Sequence, residues 1–392
     1  MQRRPSLRYW ILFMHRWLGL IAGLVVLIVS ITGCLFVFQN EITRRLHKEW
    51  YFIKPPAAAT GEGGPSAVPL PLSRLQQKAQ QVLGAGQPVQ NITTYRQPDR
   101  SWEFMAYRTN DTAITYFGTF DYYRSVYLDP YTGAVTGLRN YKYDFFSIVK
   151  YIHWSLLLNT SYGQPIVGWS TLIFVLLLVT GLILWWPKKW NRSARNRSFT
   201  VKWKASFKRV NYDLHNVPGF YSLLPALVIS LTGLVFSFNR ITALVYFLAS
   251  GSATAPAPIV ARSLPPDRIA VQIETPLDKA FQLAQEQLPA ARRIVVSPAI
   301  GREGVIYVAG YGDDETYYGS DVFQFDQYTG SLLHRRKNRE KNAGERLVEM
   351  NYDIHVGAIG GLTGKIIAFI ASLICASLPV TGFIIWWGKS RR

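Results

Sequence analysis

Four apolar runs without a charged residue limit what this chain can fold into. They span residues 17–38, 165–187, 217–238 and 366–388. A helix of about 20 apolar residues crosses a hydrocarbon core of roughly 30 Å, and buried helices of soluble proteins rarely run so far without a charge. The runs therefore predict four transmembrane α-helices. The first run is too long for a signal peptide and lacks a nearby small-residue cleavage site, which predicts a retained anchor.

The basic residues indicate which helix ends face the cytoplasm. The formal net charge is +19, and much of it comes from short segments beside the apolar runs. Residues 1–16 hold four basic residues, 188–210 hold nine and 389–392 hold three, with no acidic residue in any of them. Basic segments stay on the cytoplasmic side, so both termini and the 188–210 connection are predicted there. The long connections 41–152 and 241–354 are predicted across the membrane, and the charge does not indicate a nucleic-acid partner.

The first and third runs open with the same pattern. His15 opens the first run, which later contains Thr32-Gly33. His215 opens the third run, which contains Thr232-Gly233 at the same spacing. Self-similarity at a fixed spacing marks an internal repeat, and here the repeated features include a potential metal ligand.

The second and fourth runs share another pattern. His153 precedes the second run, which contains Thr180-Gly181 and ends on two Trp residues. His355 precedes the fourth run, which contains Thr381-Gly382 and also ends on two Trp residues. Both Trp pairs lie beside lysines, as expected of an aromatic belt at the membrane interface. The chain is thus predicted to hold two copies of helix, outer segment and helix, related by an axis along the membrane normal.

Each outer segment is predicted to fold as a helix on a small antiparallel sheet. Residues 72–83 and 277–288 carry apolar side chains at helical spacing. Strands are predicted at 102–107, 123–128, 293–296, 305–310 and 321–325. The turn sequences at 129–133 and 326–330 follow strands in both copies. The predicted fold class is a membrane protein with four transmembrane α-helices, two outer α+β domains and an internal two-fold repeat.

This organisation divides the chain into seven segments. They are the N-terminus with helix 1 (1–40), outer domain 1 (41–152), an interface segment with helix 2 (153–187), the basic loop (188–210), helix 3 (211–240), outer domain 2 (241–354) and helix 4 with the tail (355–392). The linker at 55–71, which is rich in Pro, Ala and Gly, is predicted to be flexible.

These features together resemble the PepSY-associated transmembrane family. The histidine-led helices, the Thr-Gly and Trp-Trp pairs and the Asp-Pro-Tyr-Thr-Gly turn at 129–133 carry the resemblance, which covers nearly the whole chain. Within that family the chain is similar to inner-membrane ferric-siderophore reductases, particularly those of the ferrioxamine type. The resemblance implies a bacterial inner-membrane location, a periplasmic PepSY-like domain in each half and haem-dependent electron transfer.

Four of the six histidines occupy equivalent places in the repeat. A single histidine at a helix end is commonly an interface residue, but two pairs matched in depth suggest axial ligation of haem iron. We predict that His15 and His215 hold a b-type haem on the cytoplasmic side. His153 and His355 are predicted to hold a second b-type haem on the periplasmic side. Two haems would divide the roughly 30 Å core into shorter electron steps.

The other titratable residues near these positions have less specific interpretations. His47 and His334 lack repeat partners and are predicted to lie on the surface. Asp213 and Asp353 each precede a candidate ligand by two positions, so they either orient the imidazole or cap a helix N-terminus. Capping is favoured, because positions two apart do not share a helix face.

Predictions can also be made for three further groups of side chains: basic residues, an acidic turn and the two cysteines. Arg16, Lys150 and Arg209 are either partners of haem propionates or interface residues whose charged ends reach water. Residues 313–315 are predicted to form a solvated acidic turn. The two cysteines lie within apolar runs and are predicted to be small packing residues, without a disulfide framework.

The predicted function is a di-haem reductase that passes electrons outward to ferric siderophores. No Gly-rich dinucleotide fingerprint follows a strand, so the electrons are expected from membrane quinol or a cytoplasmic donor. The tyrosine-rich outer segments are candidates for a surface that receives the chelate. The alternative is a haem-free scaffold or regulator that binds periplasmic proteins. An iron transporter is disfavoured, because the four helical cores contain no acidic residue.

Overall fold

The computed structural model describes residues 6–56, 68–265 and 274–390, which belong to two compact units. The membrane unit comprises Met1–Gln39, Ile148–Thr242 and Asn351–Arg392. The sheet unit comprises Asn40–Ser147 and Ala243–Met350. Most of the predicted flexible linker at 55–71 lies outside the described residues.

The helices and strands are numbered in chain order. The helices are α1 (Leu7–Val37), α2 (Gln39–Leu46), α3 (Lys48–Tyr51), α4 (Leu72–Leu83), α5 (Tyr116–Thr119), α6 (Phe145–Ser155), α7 (Thr160–Trp185), α8 (Arg192–Phe199), α9 (Phe207–Tyr221), α10 (Leu223–Ser237), α11 (Asn239–Ser250), α12 (Pro276–Gln287), α13 (Ala343–His355) and α14 (Gly361–Ser390). The strands are β1 (Asn91–Tyr95), β2 (Trp102–Thr109), β3 (Phe120–Leu128), β4 (Val135–Asn140), β5 (Arg293–Ser297), β6 (Val305–Tyr311), β7 (Asp321–Asp326) and β8 (Leu332–Arg336).

Among the residues that the structure describes, three helical segments are long and apolar enough to cross a membrane. They are Leu7–Val37, Thr160–Trp185 and Ala358–Gly388. Helices α9 and α10 meet the same criterion only as a pair, bent by 68°. Pro218 in α9 and Pro225 in the first turn of α10 flank the break. Pro218 removes a backbone donor from the helical ladder, whereas a first-turn proline such as Pro225 is compatible with the start of a new helix. The prediction of a membrane protein is confirmed, with three spans or, if the bent pair is one span, four.

Helix α1 begins well before the apolar run that predicted it. Ser6 caps the helix, since its hydroxyl accepts a hydrogen bond from the Tyr9 N–H at 3.4 Å. The helix then carries Arg8 and Arg16 through its first turns. Long basic side chains can extend toward water while their stems remain in apolar surroundings, so these charges do not mark the helix boundary. His15 consequently lies inside α1 and not at its opening.

The eight strands in the described part of the chain form one antiparallel sheet, in the order β4-β3-β2-β1-β5-β6-β7-β8. The two halves of the chain meet at β1 and β5, where Ile92 lies opposite Val296 and Thr94 opposite Ile294. The structure therefore differs from the prediction of two separate outer domains. Each four-stranded half would leave an edge of unpaired N–H and C=O groups, and the pairing of β1 with β5 satisfies both edges.

The sheet unit has one hydrophobic core shared by both halves. Helix α4 buries Leu72 and Leu75 against the sheet, and α12 buries Phe281. The Phe281 ring packs edge-on against Trp102, with ring centroids 5.8 Å apart. Asp278 of α12 accepts a hydrogen bond from the Ser73 N–H of α4 at 2.8 Å. The predicted helix Leu72–Leu83 and the predicted strands agree with the structure, and one core holds them together.

Candidate functional site

The membrane unit brings the four repeated histidines together as two facing pairs. The ring centroids of His15 and His215 are 6.4 Å apart, and the ring planes are at 89°. Those of His153 and His355 are 6.0 Å apart, with the planes at 64°. A metal–imidazole bond is about 2 Å long, so two rings on opposite sides of one metal have centroids about 6 Å apart. The spacing of both pairs is therefore compatible with a haem iron between them.

Neighbouring helices fix the tautomer of the first pair. His15 Nδ1 lies 2.8 Å from Thr180 Oγ1, and the Thr180 hydroxyl donates its own hydrogen to the Leu176 carbonyl at 2.7 Å. The threonine oxygen therefore accepts the Nδ1–H of the imidazole. His215 is held in the same way by Thr381 Oγ1, at 2.9 Å. With the proton on Nδ1, the Nε2 lone pair is left for a metal.

Backbone carbonyls fix the same tautomer in the second pair. His153 Nδ1 donates to the Val29 carbonyl at 2.8 Å. His355 Nδ1 donates to the Ile229 carbonyl at 3.0 Å. A carbonyl can only accept, so both rings carry the proton on Nδ1 and present Nε2 as the potential ligand.

Each Thr-Gly pair of the repeat supports one histidine of another helix. A Cβ atom built on the glycine would lie 3.3–3.4 Å from the Cε1 atom of that histidine. The four contacts are Gly33 with His153, Gly181 with His15, Gly233 with His355 and Gly382 with His215. The absence of a side chain thus lets the helix backbone approach the imidazole closely. Sequence reasoning singled out these pairs as markers of the repeat but missed this contact.

Two asparagines reinforce the contact at one histidine of each pair. Asn211 Nδ2 donates to the Thr381 carbonyl at 3.0 Å, and Asn351 Nδ2 donates to the Thr232 carbonyl at 3.1 Å. Each asparagine precedes its histidine by four residues, which places both side chains on one helix face. The Asn-Tyr-Asp-x-His segments therefore bind the next helix through Asn and His together.

The predicted capping role of the aspartates is wrong. Asp213 lies in the interior of α9 and forms an ion pair with Arg209, at 2.8 Å. Asp353 lies in the interior of α13 and is fully buried. Both helices begin several residues before the aspartate, because the helical segments extend beyond the apolar runs. Arg209 is consequently engaged by an aspartate of its own helix.

Each histidine pair borders a cavity. One cavity has a volume of about 370 Å³ and is lined by His15, His215, Arg8 and Arg16, among others. The other has a volume of about 400 Å³, and its lining includes His153, His355 and Lys150. Both volumes fall within the roughly 300–1,000 Å³ typical of small-molecule and cofactor sites. Arg16 and Lys150 are thus placed where they could meet propionates.

The two cavities lie in opposite halves of the membrane unit and meet in its middle. Val26 and Phe174 line both of them. Both side chains belong to a buried apolar cluster between the helices. His15 and Gly33, which contacts His153, are 18 residues apart on α1. Val29, whose carbonyl accepts a hydrogen bond from His153 Nδ1, is 14 residues from His15. At about 1.5 Å per residue the two histidine pairs are therefore separated by roughly 21–27 Å along the helix axis.

Other predicted positions have no part in these pairs. His47 stacks on Trp50 in the sheet unit with ring centroids 3.8 Å apart, and His334 lies on β8; both are partly exposed. Among residues 6–56, 68–265 and 274–390, no cluster of three or more His, Cys, Asp or Glu side chains is suited to a metal ion. An axial haem site needs only two ligands, which is the number of imidazoles in each pair.

The acidic turn is a structural element and not a solvated loop. Asp314 forms ion pairs with Arg100 and Arg292, each at 3.6 Å. Glu315 pairs with Arg44. The turn therefore connects elements of both halves of the sheet unit. The two cysteines are buried in α1 and α14, in keeping with the predicted packing role.

Several tyrosines of the outer segments are buried and do not form a surface. Tyr127 and Tyr141 donate hydrogen bonds to Glu103 Oε1, at 3.2 and 2.7 Å. Burial raises the pKa of both hydroxyls, and the negative charge of Glu103 raises it further. Both therefore stay protonated and available as donors. Tyr317 is 50% exposed and is a better candidate for contact with a ligand.

Comparison with protein-family models places the chain in a known family. A family model described as the PepSY-associated TM region matches residues 12–389, which include all four paired histidines. No curated protein matches the chain.

Proposed function

Because the chain belongs to the PepSY-associated transmembrane family, we propose that it is a di-haem inner-membrane reductase with two-fold repeated architecture. It passes electrons to the periplasm and reduces ferric siderophores there. The proposal is supported chiefly by the two imidazoles that face each other at each site, with ring centroids 6.4 and 6.0 Å apart. The Nδ1 atom of each ring is already hydrogen-bonded, which leaves Nε2 for a metal. The chemistry that a haem supplies when bound is reversible one-electron exchange at its iron.

The residues of the chain have three tasks in this function. The threonine hydroxyls and backbone carbonyls hold each imidazole in the tautomer that offers Nε2. The apolar cavity walls exclude water, which lowers the local dielectric and so affects the redox potential. Arg8 and Arg16 beside one pair and Lys150 beside the other supply positive charge for the propionates.

The arrangement of the sites supports transfer in series. A separation of roughly 21–27 Å along α1 would put the two sites in opposite halves of a hydrocarbon core about 30 Å thick. Val26 and Phe174 border both cavities, so one layer of side chains divides them. An electron that enters at His15 and His215 would leave through His153 and His355.

The direction of transfer follows from the proposed orientation. The basic segments support an orientation with His15 and His215 toward the cytoplasm, where membrane quinol or a soluble donor would supply electrons. A ferric siderophore in the periplasm receives them. Reduction releases the metal, because hard oxygen donors bind Fe(III) more tightly than Fe(II). A reporter fused after Arg392 should be cytoplasmic, and one inserted at Gly63, outside the described residues, should be periplasmic.

Stopped-flow oxidation of the pre-reduced protein tests the proposal. Wild-type protein should be oxidised by ferric hydroxamate or catecholate chelates. The His15→Ala variant should retain this reaction, since its periplasmic-side site is intact, whereas His153→Ala should lose it. Equal rates for both variants would contradict the assignment of the exit site. No oxidation of wild-type protein by any chelate, together with a lack of bound haem, would favour the scaffold or regulator.

A further inference from the structure

The connection between α7 and α9 presents its cations on an ordered helix. Eight of the nine basic residues between 188 and 210 are exposed, and the ninth, Arg209, is paired with Asp213. Three of the eight, Arg192, Arg195 and Arg197, belong to α8. Asn191 caps this helix by accepting a hydrogen bond from the Ala194 N–H at 2.8 Å. These three charges are therefore displayed by a capped helix.

The other side of α8 packs on aromatic residues that reach a histidine pair. Trp185 and Phe220 stack with centroids 3.8 Å apart at 10°, and both line the cavity of His15 and His215. Phe199, the last residue of α8, packs edge-on against both rings, at 5.3 and 5.4 Å. The Trp190 ring lies 6.1 Å from Phe199 and is 46% exposed. Aromatic side chains thus connect the cavity to the surface beside the cations.

We propose that α8 and Trp190 form the docking surface for an acidic, soluble one-electron donor protein. The proposal rests on the proposed function and names its donor. In each transfer the donor is oxidised by one electron and the His15–His215 site is reduced by one, and no bond is formed or broken. The positive-inside rule accounts for the sign of the charge. It does not explain why the buried side of α8 packs on aromatic residues that line the cavity of His15 and His215.

The charge distribution suits a transient partner. Redox complexes use small interfaces, below about 1,200 Å² in total, and rely on complementary charge to steer encounter. Residues 188–210 contain no acidic side chain, so an acidic partner meets no repulsion from this segment. The chain has no dinucleotide fingerprint of its own, which is consistent with an external donor.

The test measures haem reduction by photoreduced flavodoxin, an acidic one-electron carrier, with the protein in phosphatidylcholine nanodiscs. The test variant carries Arg192→Glu, Arg195→Glu and Arg197→Glu. The matched control carries Arg302→Glu, Arg335→Glu and Arg339→Glu, which make the same change of charge at exposed positions of the sheet unit. Steering raises association rates by about 10- to 1,000-fold, so the test variant should react at least about tenfold more slowly at low salt. The control should match wild type.

Two further measurements distinguish a loss of electrostatic steering from a general defect of the variant protein. The difference between the variants should disappear near 1 M salt, where the Debye length is about 3 Å. Reduction by duroquinol, a small neutral donor, should be equal in all three proteins. Equal flavodoxin rates for the test and control variants at low salt would overturn the proposal.

Lipid binding and loss of the proposed function give different results. If the test variant loses affinity only for phosphatidylglycerol vesicles and keeps its flavodoxin rate, the cations serve the membrane and the proposal is overturned. Equilibrium binding of oxidised flavodoxin to the nanodisc protein does not require haem. Weaker binding to the test variant than to the control would support docking even if the wild-type protein contained no haem. In that case the proposed haem-dependent function would be refuted, and the proposed docking surface would be supported.

Discussion

Replacing Gly33 with Ala tests the close approach of α1 to His153. The added Cβ would lie 3.3 Å from His153 Cε1 and 3.8 Å from Ser372 Oγ. The first distance is below the optimum of about 3.5–4.0 Å for carbon atoms. His153 cannot retreat freely, because its Nδ1 donates to the Val29 carbonyl at 2.8 Å. The imidazole should therefore move by a few tenths of an ångström, away from the position in which it faces His355.

The magnitude follows from two opposing effects. Overpacking costs about 1–3 kcal/mol, while Ala is better than Gly in a helix by about 1 kcal/mol. The free energy of unfolding should therefore fall by as much as about 2 kcal/mol. Altered contacts around a metal-binding imidazole commonly lower metal affinity by about 10- to 100-fold. Haem affinity should decrease over the same range.

Gly19→Ala in the same helix is the control for this substitution. Its Cβ would meet Leu177 Cδ2 at 3.9 Å, an ordinary contact. Gly19 borders the cavity of His15 and His215 and not that of His153 and His355. This variant should therefore keep the wild-type haem affinity of the His153–His355 site and equal or greater stability. The assays are thermal unfolding in detergent and absorbance titration of the apoprotein with haem. If Gly33→Ala and Gly19→Ala behaved alike in both assays, the argument that glycine makes room for the imidazole would be refuted.

Three other perturbations test separate parts of the account. Asn211→Ala removes the hydrogen bond to the Thr381 carbonyl and should shift the potential of one haem, measured by redox titration, with rescue by Asn211→Gln. Asp314→Asn deprives Arg100 of its carboxylate and should lower the free energy of unfolding by about 1–3 kcal/mol in denaturant titration. Burial raises the pKa of Tyr95 to about 12, whereas the unfolded side chain ionises near pH 10 or so. Stability should therefore fall as the pH rises between those values, and Tyr95→Phe should make that fall shallower, as followed by circular dichroism.

The apolar runs predicted the spanning helices because length and absence of charge suffice for that purpose. They did not predict the break between α9 and α10. The prolines beside the break were visible, but Pro165 in α7 and Pro379 in α14 lie inside continuous helices. Whether a proline bends a helix depends on the neighbours that satisfy the freed carbonyl, and those neighbours are set by tertiary packing.

Five of the described strands were predicted from the sequence, and β1, β4 and β8 were missed. β1 buries Ile92 and Thr94, but a threonine at an inward position gives no apolar signal in the sequence. β4 and β8 are the two edges of the sheet, and β4 has no buried residue. Their sequences therefore lack the alternation on which strand prediction depends. The pairing of β1 with β5 joins residues about 200 positions apart. No local pattern marks such a contact, so two domains were predicted in place of one sheet.

The candidate ligands His15, His215, His153 and His355 could be predicted from the sequence, because their matched positions in the repeat are visible without knowledge of tertiary contacts. The contacts that hold these histidines could not be predicted, because each Thr-Gly pair contacts a histidine of a different helix. A signal was present: the same dipeptide occurs in all four apolar runs. The capping role predicted for Asp213 is wrong because the helix extends beyond the apolar run and begins earlier, at Phe207.

The central claim is that two histidine pairs each hold one b-type haem, and haem stoichiometry tests it most directly. The pyridine haemochromogen assay on purified protein should give two b-type haems per chain. Each of His15→Ala, His215→Ala, His153→Ala and His355→Ala should give one, while the controls His47→Ala and His334→Ala should keep two. Wild-type protein without haem, or four paired-histidine variants that all retain two haems, would contradict the account.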